Sequence, residues 1–189
     1  KIVETYLAAD GLPIKQSPVY NYAADNGLRY YPNQYNNRDP RMAATLVDSI
    51  RIQGAHNGYS TTGFLSWKFL PYTANTSDLI YQGSTNITDA PIIRYGEVLL
   101  NYAEAAAELG QFTQADADKT INKLRNRNIK KNNTGNVLPK LPPMTVSGDK
   151  VLANGVEIND PDRDPSVSPL IWEIRRERCV ELLFEGFRR

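Results

Sequence analysis

The chain is poor in the residues that carry most enzymatic and metal chemistry. Its 189 residues include one histidine, His56, and one cysteine, Cys179. A single cysteine closes no internal disulfide. Cys179 lies inside a helical run and reads as a small core residue rather than a nucleophile. A lone histidine with no clustered Cys or His ligands makes no metal site, and no Ser/His/Asp set can be built around it. Neither a metal nor a cofactor is expected. An excess of one charge is also lacking: 22 basic and 21 acidic residues leave a formal net charge of +1. That balance points to neither nucleic acid nor an acidic substrate. No run of about 18 apolar residues occurs, so no membrane-spanning helix is expected within this segment. The length still suffices for one domain with a real core.

The strongest local pattern runs from Ala90 to Ile129, APIIRYGEVLLNYAEAAAELGQFTQADADKTINKLRNRNI. The first part, about Ile92 to Leu109, is rich in Leu, Ala and Glu and predicts a helix. Pro91 stands just before it and Gly110 just after, both in their favoured places. Being apolar almost all round, this helix is expected to be buried. Gly96, Ala103 and Ala107 share one side and would admit a close neighbour. Thr113 is the expected N-cap of a second helix, with Asp116 as a weaker form of the capping-box acid. Ala117, Ile121 and Leu124 then repeat on one face. Ala106, Gly110, Phe112 and Ala115 have the small-small-aromatic-small spacing of a tetratricopeptide-type hairpin. Such a unit cannot bury its faces alone.

Before this hairpin the chain is loop-rich. Lys1 to Ile14 is open between helix and strand and ends near the turn signal Asp10-Gly11. Tyr is frequent, at 11 residues, and five of them, Tyr20, Tyr22, Tyr30, Tyr31 and Tyr35, cluster among Asn, Asp and Pro. They read either as an aromatic platform for a sugar or as rings that pin a long loop, and the second reading is favoured. Asp39 and Pro40 predict an N-cap and first turn of a short helix, followed by an extended segment. Arg38 and Arg41 are expected to pair with acids elsewhere in the fold. Gly54 to Gly83 is again loop-like and contains Trp67 and Tyr72.

After the hairpin, Val151-Leu152-Ala153, Asn154-Gly155 and Val156-Glu157-Ile158 predict a small exposed β-hairpin. Asp160, Asp162 and Asp164 alternate as in a calcium loop. The Gly and Glu such a loop needs are replaced by Pro165 and Ile171, so a solvated acidic turn is expected. Ser168-Pro169 then caps a third helix, to about Gly186. Glu173, Glu177, Glu181 and Glu185 recur every four residues along it. Arg176, Arg178, Arg188 and Arg189 are the expected counter-charges, with Ile171, Trp172, Cys179, Leu182 and Leu183 on the other side. With Arg beside each carboxylate, an ion-pair network is favoured over the carboxylate pair of a glycoside hydrolase.

At this third helix the sequence IRRERCVELLFEGFRR resembles the C-terminal signature of the SusD/RagB family of outer-membrane nutrient-binding lipoproteins. YLAADGLPI, NNRDPRM and IIRYGEVLLNYAEAAAELG with LRNRNI fit the same family in the same order. The resemblance implies a mainly α-helical SusD-like region with a tetratricopeptide-type hairpin, a third long helix, long loops and a minor β-hairpin. It also implies that residues 1–189 are the C-terminal portion of a longer protein, whose helical-repeat half and lipid anchor lie outside this segment.

The implied function is non-catalytic capture of an oligosaccharide, or of a peptide, on the cell surface at the outer membrane. The implied partner is a SusC-like TonB-dependent transporter. The matched motifs are scaffold, so ligand residues must come from the loops. Tyr31, Tyr35, Trp67 and Tyr72 are the candidate stacking residues, with Asn57 and Asn75 as hydrogen-bonding partners. The alternative is a tetratricopeptide-like protein-interaction module.

Overall fold

The computed structural model describes residues 2–22, 34–47, 64, 66, 68, 91–130 and 135–187. The N-terminal stretch contains one short helix, α1 (Ile2–Thr5). Tyr6, Leu7 and Ala8 follow, fully buried, and Ala8 bridges Arg38. The Asp10-Gly11 turn is present. Gly11 has φ +83°, and a Cβ on it would lie 2.9 Å from the Ala153 Cβ, so both backbone and packing demand glycine. Helix α2 (Pro40–Thr45) starts as expected, with the Asp39 carboxylate accepting the Arg41 backbone N–H at 2.9 Å. Leu46 then turns extended and bridges Ser66.

Helix α3 spans Tyr95–Glu108 and starts later than its composition predicts. Arg94 takes extended backbone at the N-cap position while its guanidinium is held by Glu181 and Glu185. Ile92 and Ile93 therefore stand in solvent, 92% and 68% exposed. The helix is also not buried all round. Gly96, Leu99, Leu100 and Ala103 face the core, whereas Tyr95, Val98, Tyr102 and Leu109 are exposed. The helix ends as expected, with Gly110 at φ +67°. Gln111 N–H donates to the Ala106 carbonyl and Gly110 N–H to the Ala107 carbonyl, both at 2.9 Å, the paired bonds of a glycine-terminated helix.

The predicted second helix is two: α4 (Gln114–Lys119) and α5 (Ile121–Arg125). The break falls at Thr120, whose hydroxyl donates to the Asp116 carbonyl at 2.6 Å and competes with the helical ladder. Ala117, Ile121 and Leu124 still share one buried face. The capping box forms in full. Thr113 Oγ1 accepts the Asp116 N–H at 3.3 Å, and Asp116 Oδ2 accepts the Thr113 N–H at 2.9 Å. Thr113→Ala should therefore cost about 1 kcal/mol of stability, read as a lower urea midpoint at constant slope.

A three-stranded antiparallel sheet follows, β1 (Met144–Ser147), β2 (Lys150–Ala153) and β3 (Val156–Glu157), in that spatial order. The Asn-Gly hairpin is present, with Asn154 at φ 49° and Gly155 at φ 78°. Strand β1 had no sequence cue. The expected exposure of the hairpin is wrong on one face: Met144, Val151, Ala153 and Ile158 are buried in the central core. Turn chemistry fixes the register but not what covers the sheet. Here α4 covers β1 and the last helix, Pro169–Glu181, covers β2. Asn122 imitates a neighbouring strand, its Oδ1 accepting the Met144 N–H at 2.6 Å and its Nδ2 donating to the Met144 carbonyl at 2.9 Å.

Helix α6 (Pro169–Glu181) closes the core. Ser168 caps it, accepting the Ile171 N–H at 3.3 Å. It stops short of the expected Gly186. Turns follow, with Phe184 at φ 67° and Gly186 at φ 81°. Its Ile174 belongs to the same buried cluster as Leu99, Leu100, Ala103, Ile121 and Leu124. Gly96 does sit at a close approach, but to side chains. A Cβ there would lie 2.5 Å from Arg94 Nη1 and 3.2 Å from Glu181 Oε1.

Candidate functional site

Helix α6 buries its carboxylates and Arg176 and leaves part of its apolar flank half-covered. Glu173, Arg176, Glu177 and Glu181 are buried along with Ile174 and Val180, while Ile171, Trp172 and Cys179 are half-exposed. Only Glu173 takes its counter-charge from its own helix, Arg176 Nε donating to it at 3.0 Å. Glu177 Oε2 accepts Arg41 Nη1 at 2.7 Å, and its Oε1 accepts Arg125 Nε and Nη2 at 2.8 and 2.5 Å. Arg41 also clasps Asp39. Glu181 is held by Arg94 Nη1 at 2.7 Å and Arg127 Nη2 at 2.6 Å. Glu185 is held by Arg94 Nε at 2.7 Å and Lys68 Nζ at 2.5 Å.

The expected local pairing is thus corrected. Arg178 faces outward to Asn101, and Arg188 and Arg189 lie outside the described residues. The counter-charges come instead from segments remote in sequence, because a helix face buried against several elements meets their side chains before its own neighbours'. Burial alone would push these carboxyls up. For Glu177, Arg125 and Arg41 overcome it and hold the group at about 2. Glu181 is also lowered despite burial, by Arg41, Arg127 and Arg94. For Glu173 burial prevails over Arg176 and the group is raised. Glu177 and Glu173 are 1% and 2% exposed and bonded to guanidinium groups, so neither reaches a sugar.

The acidic turn is solvated as expected at Asp162 and Asp164, both exposed, whereas Asp160 is drawn inward. Asp160 accepts Trp172 Nε1 at 2.8 Å and pairs with Arg176. Asp162 pairs with Lys15 at 2.6 Å. Asp164 accepts the Ser166 backbone N–H at 2.9 Å and its hydroxyl at 2.7 Å. The three carboxylates diverge. Among the described residues no group of three or more His, Cys, Asp or Glu could hold a metal ion.

Of the candidate ligand residues, Tyr31, Asn57, Trp67, Tyr72 and Asn75 lie outside the described residues, as does His56. Tyr35 faces inward. Its ring packs against the Tyr6, Met42, Leu46 and Val180 cluster, and its hydroxyl donates to the Val47 carbonyl at 2.6 Å. The flanks of Trp67 are anchored: Ser66 bridges Leu46, and Lys68 Nζ reaches the end of α6. An open concavity of about 380 Å³ is lined by Asp118, Asn122, Lys123, Arg125, Asn126, Leu141 and Pro143. Asn122 is spent on Met144 and Asn126 accepts Lys140 Nζ at 2.9 Å, so its amides serve the fold.

Reading by local spacing missed Lys68, Arg94, Arg125 and Arg127 as partners of the acidic stripe, since nothing in i to i+4 spacing reports a contact across the core. Yet the four motif stretches converge on this network. NNRDPRM supplies Asp39 and Arg41, IIRYGE supplies Arg94, LRNRNI supplies Arg125 and Arg127, and the last stretch supplies the acids. YLAADGLPI joins through the Tyr6 carbonyl, which accepts Arg38 Nη2 at 3.0 Å.

The whole chain, residues 1–189, matches the profile of the SusD family. The chain belongs to the SusD family. A solved structure, described as a SusD-like carbohydrate-binding protein from Bacteroides fragilis NCTC 9343, superposes with a TM-score of 0.54 at 24% identity. The match covers 98% of this chain and 32% of that one, so the segment spans about a third of that protein's length. No curated protein matches the sequence. The mainly helical fold with its small antiparallel sheet is SusD-like. In this SusD-family chain, the buried ion pairs are where the recognisable motifs meet.

Proposed function

We propose that this SusD-family chain serves the non-catalytic capture of an oligosaccharide at the cell surface, for import through a SusC-like TonB-dependent transporter of the outer membrane. The observation that carries the reading is the family match over the full 189 residues, joined to a solved relative described as carbohydrate-binding. On this reading residues 1–189 are the C-terminal region of a longer lipid-anchored protein. The network on α6 holds the scaffold rigid, and the loops carry the ligand contacts. Tyr31, Trp67 and Tyr72 stack on sugar faces, Asn57 and Asn75 bond hydroxyls, and Tyr35 shores up its loop from behind.

The test is a glycan array followed by calorimetry, on the full-length protein and on residues 1–189. Trp67→Ala should weaken glycan binding roughly tenfold, the worth of one aromatic contact, with the unfolding midpoint unchanged. An unaltered affinity removes Trp67 from the site. Binding by the full-length protein alone places the contacts outside residues 1–189.

One observation favours a second, protein-binding reading. Tyr95, Val98, Tyr102, Ala105 and Leu109 are all exposed on α3 and follow the alternating three- and four-residue spacing of a helix seam. Their polar tips are tied back, Tyr102 Oη donating to Asp116 Oδ1 at 2.8 Å and Lys123 Nζ donating to Tyr95 Oη at 3.1 Å. An array without any glycan hit shifts the assignment to this tetratricopeptide-like role or to a peptide ligand.

A further inference from the structure

Over the whole chain the charges balance, but along it they do not. Seven of the 22 basic residues fall within residues 119–148, a stretch with no Asp or Glu. The rest of the chain holds all 21 acidic residues and is net negative. Two of the seven are spent on the acids of α6, Arg125 on Glu177 and Arg127 on Glu181. Lys119, Lys123, Lys130 and Lys140 are all exposed. Among the described residues Lys123 and Lys140 form no ion pair. Lys123 Nζ donates to Tyr95 Oη at 3.1 Å and stands 5.0 Å from the centre of that exposed ring. Lys140 Nζ donates to Asn126 Oδ1 at 2.9 Å. An ammonium carries three donors, so each lysine keeps two for a ligand.

These two lysines stand at one place. Lys123 and Asn126 line the open concavity of about 380 Å³ beside α5, and Asn126 holds Lys140 to its edge. That volume falls within the range of about 300–1,000 Å³ common to small-molecule sites. The amides of the concavity serve the fold, but its lysine charges do not. Leu141 and Pro143 give it an apolar wall. Asp118 stands in the lining as well. Its Oδ1 accepts Gln114 Nε2 at 2.9 Å and Asn122 Nδ2 at 2.7 Å, which leaves Oδ2 for a ligand hydroxyl. Two cations without ion pairs beside an apolar wall raise the local concentration of anions. Cations, one hydroxyl acceptor and an apolar wall together fit a sugar ring that carries hydroxyls, a C–H surface and a negative group. The Asp118 carboxylate speaks against a nucleic acid or an anionic membrane, whose dense phosphates it repels.

We propose that this concavity is an anion-selective sugar site, in which Lys123 and Lys140 bind the carboxylate or sulfate groups of an acidic oligosaccharide and Asp118 Oδ2 accepts one of its hydroxyls. That the ligand is a glycan rests on the capture reading above. The site itself is separate from the loop residues named there, and Asn126 acts in it only by holding Lys140.

The experiment uses the full-length protein. Tetragalacturonate is the carboxylate probe, a carrageenan-derived tetrasaccharide the sulfate probe, and neoagarotetraose the uncharged control. Calorimetry at about 50 and about 300 mM salt reads the affinity. At least one acidic probe should bind more tightly than the control, and its affinity should fall several-fold at the higher salt, where exposed charges are screened. Lys123→Gln and Lys140→Gln should each weaken it roughly threefold, the worth of one exposed charge pair, and the double variant roughly tenfold. Lys123→Arg should keep most of the affinity. Both lysines are exposed, so the unfolding midpoint should hold in every variant.

Binding by tetragalacturonate alone assigns the anion as a carboxylate, and binding by the carrageenan fragment alone as a sulfate. Acidic probes that bind the double variant as well as the wild type overturn the site. If neither acidic probe binds while the array finds a neutral glycan, the anion site falls and the capture reading stands. If no glycan binds at all, both fall. Binding to phosphatidylglycerol vesicles that the double variant loses would then make the basic face a membrane contact and overturn the sugar assignment.

Discussion

Glu177→Leu should lower the unfolding free energy by about 3–5 kcal/mol, the size seen when one partner of a buried ion pair is removed. Glu177 is 1% exposed and is the shared acceptor of two guanidinium groups. Arg41 would keep Asp39, at 2.7 Å. Among the described residues, the one hydrogen bond Arg125 would keep is to the Pro142 carbonyl, at 3.1 Å, and its side chain is 1% exposed. A buried cation with one neutral acceptor is the costly product. The same logic gives the control. Glu177→Leu with Arg125→Met removes both charges and should recover most of the loss, because apolar replacement of a complete buried pair is close to neutral. Urea unfolding at constant slope measures both. A Glu177→Leu loss below about 1 kcal/mol, the range of a surface pair, would mean that the pairs are solvated.

The second large effect is acid sensitivity. Glu177 is held at about 2, against 4.5 when free. A carboxyl lowered by folding contributes stability above its unfolded value and loses it as the pH falls through the folded one. The loss should therefore begin just below pH 4.5 and run to about pH 2. Glu177 alone accounts for on the order of 3 kcal/mol over that interval. Glu181 and Asp160 are also lowered and act in the same direction, both against the effect of burial, Glu181 through Arg41 and Arg127 and Asp160 through Arg176. Glu173 is raised, chiefly by burial, and acts in the opposite direction, relieving strain as it protonates. Urea midpoints measured from pH 6 to pH 2.5 should fall steeply in the wild type and less steeply in Glu177→Leu. Equal slopes in the two proteins would show that Glu177 is not the titrating group.

Much of the local structure was legible in the sequence. Thr113, Asp39 and Ser168 cap the helices their positions predict, because a cap is decided by one side chain and the next three backbone N–H groups. Gly110 and Asn154-Gly155 turn the chain where only a left-handed residue serves. The boundaries were less legible. Ile92 and Ile93 look helical by composition, but Arg94 is drawn to Glu181 and Glu185 and the helix begins after it. Thr120 divides a single expected helix through one hydroxyl bond. The family was also legible, through four stretches in order. The candidate site was legible only as a loop composition, since a Tyr or Asn in a loop has no periodicity to say which way it points. Tyr35, turned inward onto Val47, is the example.

The sequence by itself determined the turns, the caps, the shared core face of α4 and α5, the Asn-Gly hairpin and membership of the SusD family. Each depends on contacts within a few residues, or on order along the chain. Only the tertiary structure decided where the charges go. The acidic stripe of α6 reads as a helix that could pair with its own arginines; in the fold it is buried and answered by Arg41, Arg125, Arg94, Arg127 and Lys68. The reason is geometric and dielectric together. A carboxylate inside the core must be neutralised by whichever cation the packing brings within hydrogen-bond reach, and sequence spacing does not report distances across a core.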